Sequence, residues 1–113
     1  MIKKTEELDE IRENFHVYFD LEQDLGKKFL DHYESTYQEG IFDSKTKRLI
    51  ALCGGIIAGC KGCILGQADH AIAAGATVDE ILEVCSIAMS LGGTLAGSQI
   101  SMVIKLLKEK DMV

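Results

Sequence analysis

The sequence predicts an all-α, single-domain protein. Its 113 residues include no proline to interrupt a helix. Apolar side chains recur at spacings of three and four, and no alternating strand pattern lasts more than a few residues. Helix-capping residues separate the periodic segments. The length fits one domain, residues 1–113, and 47% hydrophobic residues are enough for a packed core.

Residues 5–18 and 21–38 are predicted helical, with a break near Phe19-Asp20. Leu8, Ile11, Phe15 and Tyr18 line one face, then Leu25, Phe29 and Tyr33. Gly40 closes this stretch. Asp43 or Ser44 caps the next helix, which runs to about Gly59. Its stripe is Leu49, Leu52, Cys53, Ile56, Ile57 and Cys60. A third helix spans about Cys60 to Ala74, with Gly75 just past its end. Thr77 and Glu80 form a capping box for a helix burying Val78, Ile81, Leu82, Cys85, Ala88 and Met89. Gly92-Gly93 breaks the pattern. A last helix, about 94–109, uses Ala96, Ile100, Val103, Ile104 and Leu107, giving about six helices in all.

The net charge is −6, the pI is near 5.0 and the basic residues are scattered, which argues against a nucleic-acid partner. The N-terminus is polar, with no apolar secretory core. The uncharged run Leu49–Cys60 is short for a membrane span. Together these predict a cytoplasmic protein off the membrane. The segments Leu49–Ala58 and Ile81–Leu91 carry more apolar surface than a small monomer can cover, which predicts a homo-oligomer.

The chemistry concentrates at Cys60-Lys61-Gly62-Cys63. Two cysteines three apart on a helix fall within the ~4.4–6.8 Å Cα window of a disulfide. A helix start stabilises a thiolate, and Lys61 adds positive charge. The pair therefore supports a dithiol redox centre, alongside a zinc site or inert core cysteines. Zinc requires four ligands, and no second CxxC or HxxxH is present. Cys53 and Cys85 lie on apolar stripes and read as core residues. Gln67 follows Cys63 by one helical turn. His70 shares that face but lies ~10.5 Å along the axis, out of direct reach of the sulfur. His16 and His32 sit on the predicted N-terminal helices and are given no functional role.

With these motifs, residues 41–99 resemble the carboxymuconolactone decarboxylase family, in particular its alkylhydroperoxidase D-like members. The matching text is Phe42 to Leu52, Cys60-Lys61-Gly62-Cys63-Ile64 and Ala74 to Glu83. The resemblance implies an all-α fold in trimers or hexamers. It implies that Cys63 attacks a hydroperoxide, that Cys60 resolves the sulfenic acid to a disulfide, and that a lipoyl group on a partner can re-reduce it. No separate cofactor is implied. Two positions depart from the peroxidase pattern: Gln67 stands where those members carry histidine, and Arg48 where they carry glutamate twelve residues before the first cysteine. Glutamine has no titratable proton, and arginine cannot act as a base.

The expected function is a thiol-dependent oxidoreductase with peroxiredoxin-like activity on a small hydroperoxide or dithiol. Cys63 and Cys60 carry the redox step, while Arg48, Lys61 and the helix start activate the thiol and His70 offers a displaced base. Glu34, Glu39 and Glu83 are candidates for a missing base supplied by a neighbouring subunit. One alternative is a non-redox enzyme on a small organic acid or lactone, with Arg48 binding the carboxylate. Another is a helical binding protein whose catalytic residues have decayed.

Overall fold

In the computed structural model, which describes residues 2–113, five helices follow in chain order. They are α1 (Lys4–Leu21), α2 (Gln23–Thr36), α3 (Ser44–Ala58), α4 (Lys61–Ala73) and α5 (Val78–Glu109). No strand occurs among the described residues. Gly93, at φ 58° and ψ −143°, kinks α5 where the double glycine was expected to break it. Counting its two arms separately gives the six expected helices.

The caps explain the boundaries. The Thr46 backbone N–H donates to the Asp43 carboxylate at 2.7 Å, so Asp43 rather than Ser44 starts α3. Thr77 and Glu80 form the expected capping box. Gly75 takes the positive φ past α4. The start of α1 has no cap of its own: the backbone N–H groups of Lys4 and Thr5 donate to the Glu109 carboxylate at 2.9 and 3.0 Å. The end of α5 thereby holds the beginning of the chain.

Helices α3, α4 and α5 enclose the core. Leu52, Ile56, Ile64, Leu65, Ile81, Val103, Leu106 and Leu107 are completely buried, each worth about 1.5–3 kcal/mol of transfer free energy. The α1–α2 hairpin lies beside this layer. Its close approach depends on Gly26, where a Cβ would be 2.9 Å from the Phe19 backbone. An ion-pair triad fixes α1 to α4 and to the chain end, with Asp69 receiving Arg12 at 2.9 Å and Lys110 at 2.8 Å.

Several expectations are corrected. Helix α1 continues through Phe19-Asp20 to Leu21 and breaks at Glu22, because Phe19 is held in the helix by its packing against Gly26. Phe15, Tyr18, Leu25 and Phe29 are more than half exposed, because the hairpin has only the edge of the three-helix layer to pack on. Ile57, Leu82 and Met89 are exposed rather than buried, so the apolar stripes of α3 and α5 are narrower than the periodicity implied. The uncharged run Val84–Ile104 exceeds the Leu49–Cys60 run, and α5 is long and apolar enough by composition to cross a membrane. Part of that composition serves the core, since Ile81, Cys85, Ala88, Ala96, Val103, Leu106 and Leu107 are buried. Ile87, Leu91 and Leu95 face outward.

Candidate redox site

Gly59 ends α3 in the left-handed conformation, and Cys60 then turns extended as the N-cap of α4. This corner presents both cysteines at one helix start. Cys60 and Cys63 form a disulfide with Cα atoms 5.2 Å apart, inside the window expected for the spacing. The Cys63 backbone N–H donates to the Cys60 sulfur at 3.2 Å. Cys63 is exposed and Cys60 half-buried.

The pair lines a cleft of about 410 Å³ between the α1–α2 hairpin and α4. Leu8, Ile11, Phe15, Phe19, Phe29 and Leu30 form its apolar wall, and Arg12, His16, Tyr33, Gln67 and His70 are its polar groups. Phe15, Phe19, Phe29, Tyr33 and Tyr37 make a continuous row of rings, successive centroids 4.9–6.2 Å apart. The exposed aromatic face of the hairpin is thus the wall of the cleft.

Gln67 lies at the inner end of that wall, 8% exposed and fully engaged. Arg48 Nη1 donates to Gln67 Oε1 at 3.0 Å and to the Tyr33 hydroxyl at 2.7 Å. Gln67 Nε2 donates to the hydroxyls of Tyr33 at 3.1 Å and Tyr37 at 3.4 Å. The Arg48 guanidinium lies 3.8 Å from the centre of the Tyr37 ring, a cation–π contact. Arginine only donates, so the Gln67 atom facing it must be the oxygen, which fixes the amide orientation. Lys47 holds α2 in register by donating to the carbonyls of Thr36 at 2.9 Å and Gln38 at 2.6 Å.

The structure therefore brings Cys60, Cys63, Gln67 and His70 to one cleft, with Arg48 bonded behind them. Lys61 is directed elsewhere, 3.4 Å from the Glu7 carboxylate. Burial first, then the charges of Arg48 and Arg12, hold His70 below the ordinary histidine range against the opposing pull of Asp69. Burial, then the neighbouring Cys53, pushes the Cys85 thiol up to about 11, so it is a protonated core group at neutral pH. Burial, then Tyr33, raises Tyr37, against the opposing effects of Arg48 and Gln67. Glu34 and Glu39 line a separate depression with Arg48, and Glu83 lines neither it nor the cleft.

Helical periodicity identifies Tyr33 only as one more apolar residue of a stripe, and it gives no role to Tyr37 or Arg12. The available signal was the Tyr33–Tyr37 pair at four-residue spacing, two hydroxyls at the polar end of a helix.

The carboxymuconolactone decarboxylase family model matches residues 23–100, from α2 through most of α5. No curated protein sequence gives a significant match. A crystal structure of a family member from Legionella pneumophila, in its apo form, has a TM-score of 0.84 at 24% identity, over 89% of this chain and 90% of that one. A Thermotoga maritima family member, for which involvement in an antioxidative response has been suggested, has a TM-score of 0.84 at 25% identity, over 93% of this chain and 90% of that one. With the matched region covering most of its length, the chain belongs to the carboxymuconolactone decarboxylase family.

Proposed function

We propose that the protein is a thiol-dependent oxidoreductase that reduces a small organic hydroperoxide by cycling Cys60 and Cys63 between dithiol and disulfide. The observation carrying this reading is the Cys60–Cys63 disulfide at the polar side of an apolar cleft. Cys63, the more exposed, attacks the terminal peroxide oxygen. Cys60, at the N-cap, then attacks the Cys63 sulfenic acid to form the disulfide and release water. An external dithiol, such as a lipoyl group on a partner protein, returns the pair to the reduced state. The antioxidative role suggested for the Thermotoga relative supports the same direction.

The lactone or organic-acid reading has less support. Arg48 is already bonded to Tyr33 and Gln67, and Glu34 and Glu39 line the depression beside it, which opposes a carboxylate ligand. Assembly as a homo-oligomer accompanies the proposal, because Leu91, Leu95 and Ile87 leave α5 with an uncovered apolar face.

Thiol counting with mass spectrometry tests the reading. The reduced protein should lose two thiols per chain on addition of cumene hydroperoxide and yield a Cys60–Cys63 linked peptide. Cys63→Ser should abolish the loss. Thiols that survive peroxide in the wild type would overturn the reading.

A further inference from the structure

The Tyr33 hydroxyl receives two hydrogen bonds, from Arg48 Nη1 at 2.7 Å and Gln67 Nε2 at 3.1 Å. Neither group accepts: arginine has only donors, and the oxygen of the Gln67 amide is turned to Arg48. Both lone pairs of the phenol oxygen are thus engaged, and its own proton is directed to neither partner. Tyr33 lines the cleft together with Cys60 and Cys63. Its partner Gln67 stands four residues, ~6 Å along the axis, beyond Cys63 on α4. Tyr37 does not line this cleft.

We infer that Tyr33 is the proton donor of the redox site, an inference that rests on the hydroperoxide-reducing reading. As the Cys63 thiolate, its proton already released to solvent, attacks the terminal oxygen of R–O–OH, the S–O bond forms and the O–O bond breaks. The sulfur is oxidised to the sulfenic acid, and the departing alkoxide takes the Tyr33 proton to leave as the alcohol. A phenol is a far stronger acid than an alcohol, so the transfer is downhill. The Arg48 and Gln67 donors stabilise the phenolate left behind, which solvent reprotonates. Attack of the Cys60 thiol on the sulfenic acid then releases water. The whole step converts two thiols and one hydroperoxide to a disulfide, an alcohol and water.

Leaving-group chemistry tests this. Reduced wild type and Tyr33→Phe are compared in single-turnover oxidation by cumene hydroperoxide and in alkylation by iodoacetamide, whose iodide leaves without a proton. Tyr33→Phe should slow the hydroperoxide reaction about 100-fold, the scale of general acid catalysis, and leave alkylation unchanged. Equal slowing of both reactions would make Tyr33 a positioning residue and overturn the proposal, as would no slowing of either. Wild-type thiols that survive peroxide overturn the redox reading and this inference with it; a reactive wild type with an equally reactive variant overturns this inference alone. If Tyr33→Phe does not fold, as judged by circular dichroism, fluorotyrosine at position 33, which keeps the ring and hydroxyl but makes the phenol more acidic, should change the hydroperoxide rate and leave alkylation unchanged. An unchanged hydroperoxide rate overturns proton donation by Tyr33.

Discussion

Gly55 lies directly against Cys63: a Cβ at position 55 would sit 3.1 Å from the Cys63 Cβ, and 3.3 Å from the Cys63 carbonyl carbon and the Ile64 nitrogen. Helices α3 and α4 meet there, at the first turn that carries the cysteine pair. Two of the three opposing atoms are backbone, so the contact cannot be relieved by a rotamer change.

Gly55→Ala should therefore destabilise the protein. Overpacking costs about 1–3 kcal/mol, and the gain in helix propensity offsets up to about 1 kcal/mol. A net loss of about 1 kcal/mol is expected, read as a lower urea midpoint. Gly54 is the control, since it is exposed on the same helix with nothing within 4 Å of its Cβ direction. Gly54→Ala should stabilise by up to about 1 kcal/mol. Equal shifts in both variants would show that the Gly55 contact carries no constraint.

Asp69 joins α1, α4 and the chain end through Arg12 and Lys110. Partial burial raises its pKa, but the hydrogen bonds from Lys110 and Arg12 outweigh that and leave it below the usual carboxylate value. A depressed carboxyl contributes stability that is complete above its unfolded value, near ~3.9, and is lost as pH falls through the folded value. Asp69→Asn should cost about 1–2 kcal/mol at neutral pH, given two charge-assisted bonds in a half-exposed setting. It should also flatten the fall in stability below pH ~4. Urea midpoints measured from neutral pH down to pH ~3 check both parts.

His70 supplies a second pH window with the same sign. Its folded value lies below the ordinary histidine value. Stability is therefore undiminished above the unfolded value, ~6.5. It is lost as pH falls from there to the folded value, where the unfolded chain takes a proton that the native site resists. NMR titration of the His70 ring should give a midpoint below ~6.5. In His70→Gln the slope of stability attributable to this window should disappear. A ring titrating at or above the free value would contradict the account of burial beside Arg48 and Arg12.

The sequence made some of this legible and not the rest, for physical reasons. Caps act locally, so Asp43, Gly75, Thr77 and the Gly92-Gly93 break could be read from neighbours along the chain. The cysteine pair could be read likewise, since its geometry depends on three-residue spacing alone. Tertiary placement could not. The periodicity of Phe15, Phe29 and Tyr33 shows that they share a face, but not that the face borders a cleft instead of the core. The direction of Lys61 toward Glu7, and the bonding of Arg48 to Gln67 and Tyr33, depend on helices distant in sequence.

The Arg48–Gln67 pair yields the last prediction. Alkylhydroperoxidase D-like proteins, which this chain resembles, carry glutamate and histidine at these two positions. Here the same two side chains are hydrogen-bonded at 3.0 Å. Any exchange of one residue alone leaves a mismatched partner. Gln67→His places an imidazole against the Arg48 cation, which disfavours its protonation. Arg48→Glu removes the donor to Tyr33 and the group that fixes the Gln67 amide orientation. The double variant Arg48→Glu/Gln67→His restores a carboxylate–imidazole pair that can pass a proton. It should oxidise with cumene hydroperoxide faster than either single variant, by up to about 100-fold, because the new pair replaces the Tyr33 donor that loss of Arg48 and Gln67 impairs, whereas each single variant should be slower than wild type. Stopped-flow thiol loss measures all four proteins. If the double variant merely equals the product of the two single effects, the positions are independent and the pairing has no catalytic consequence.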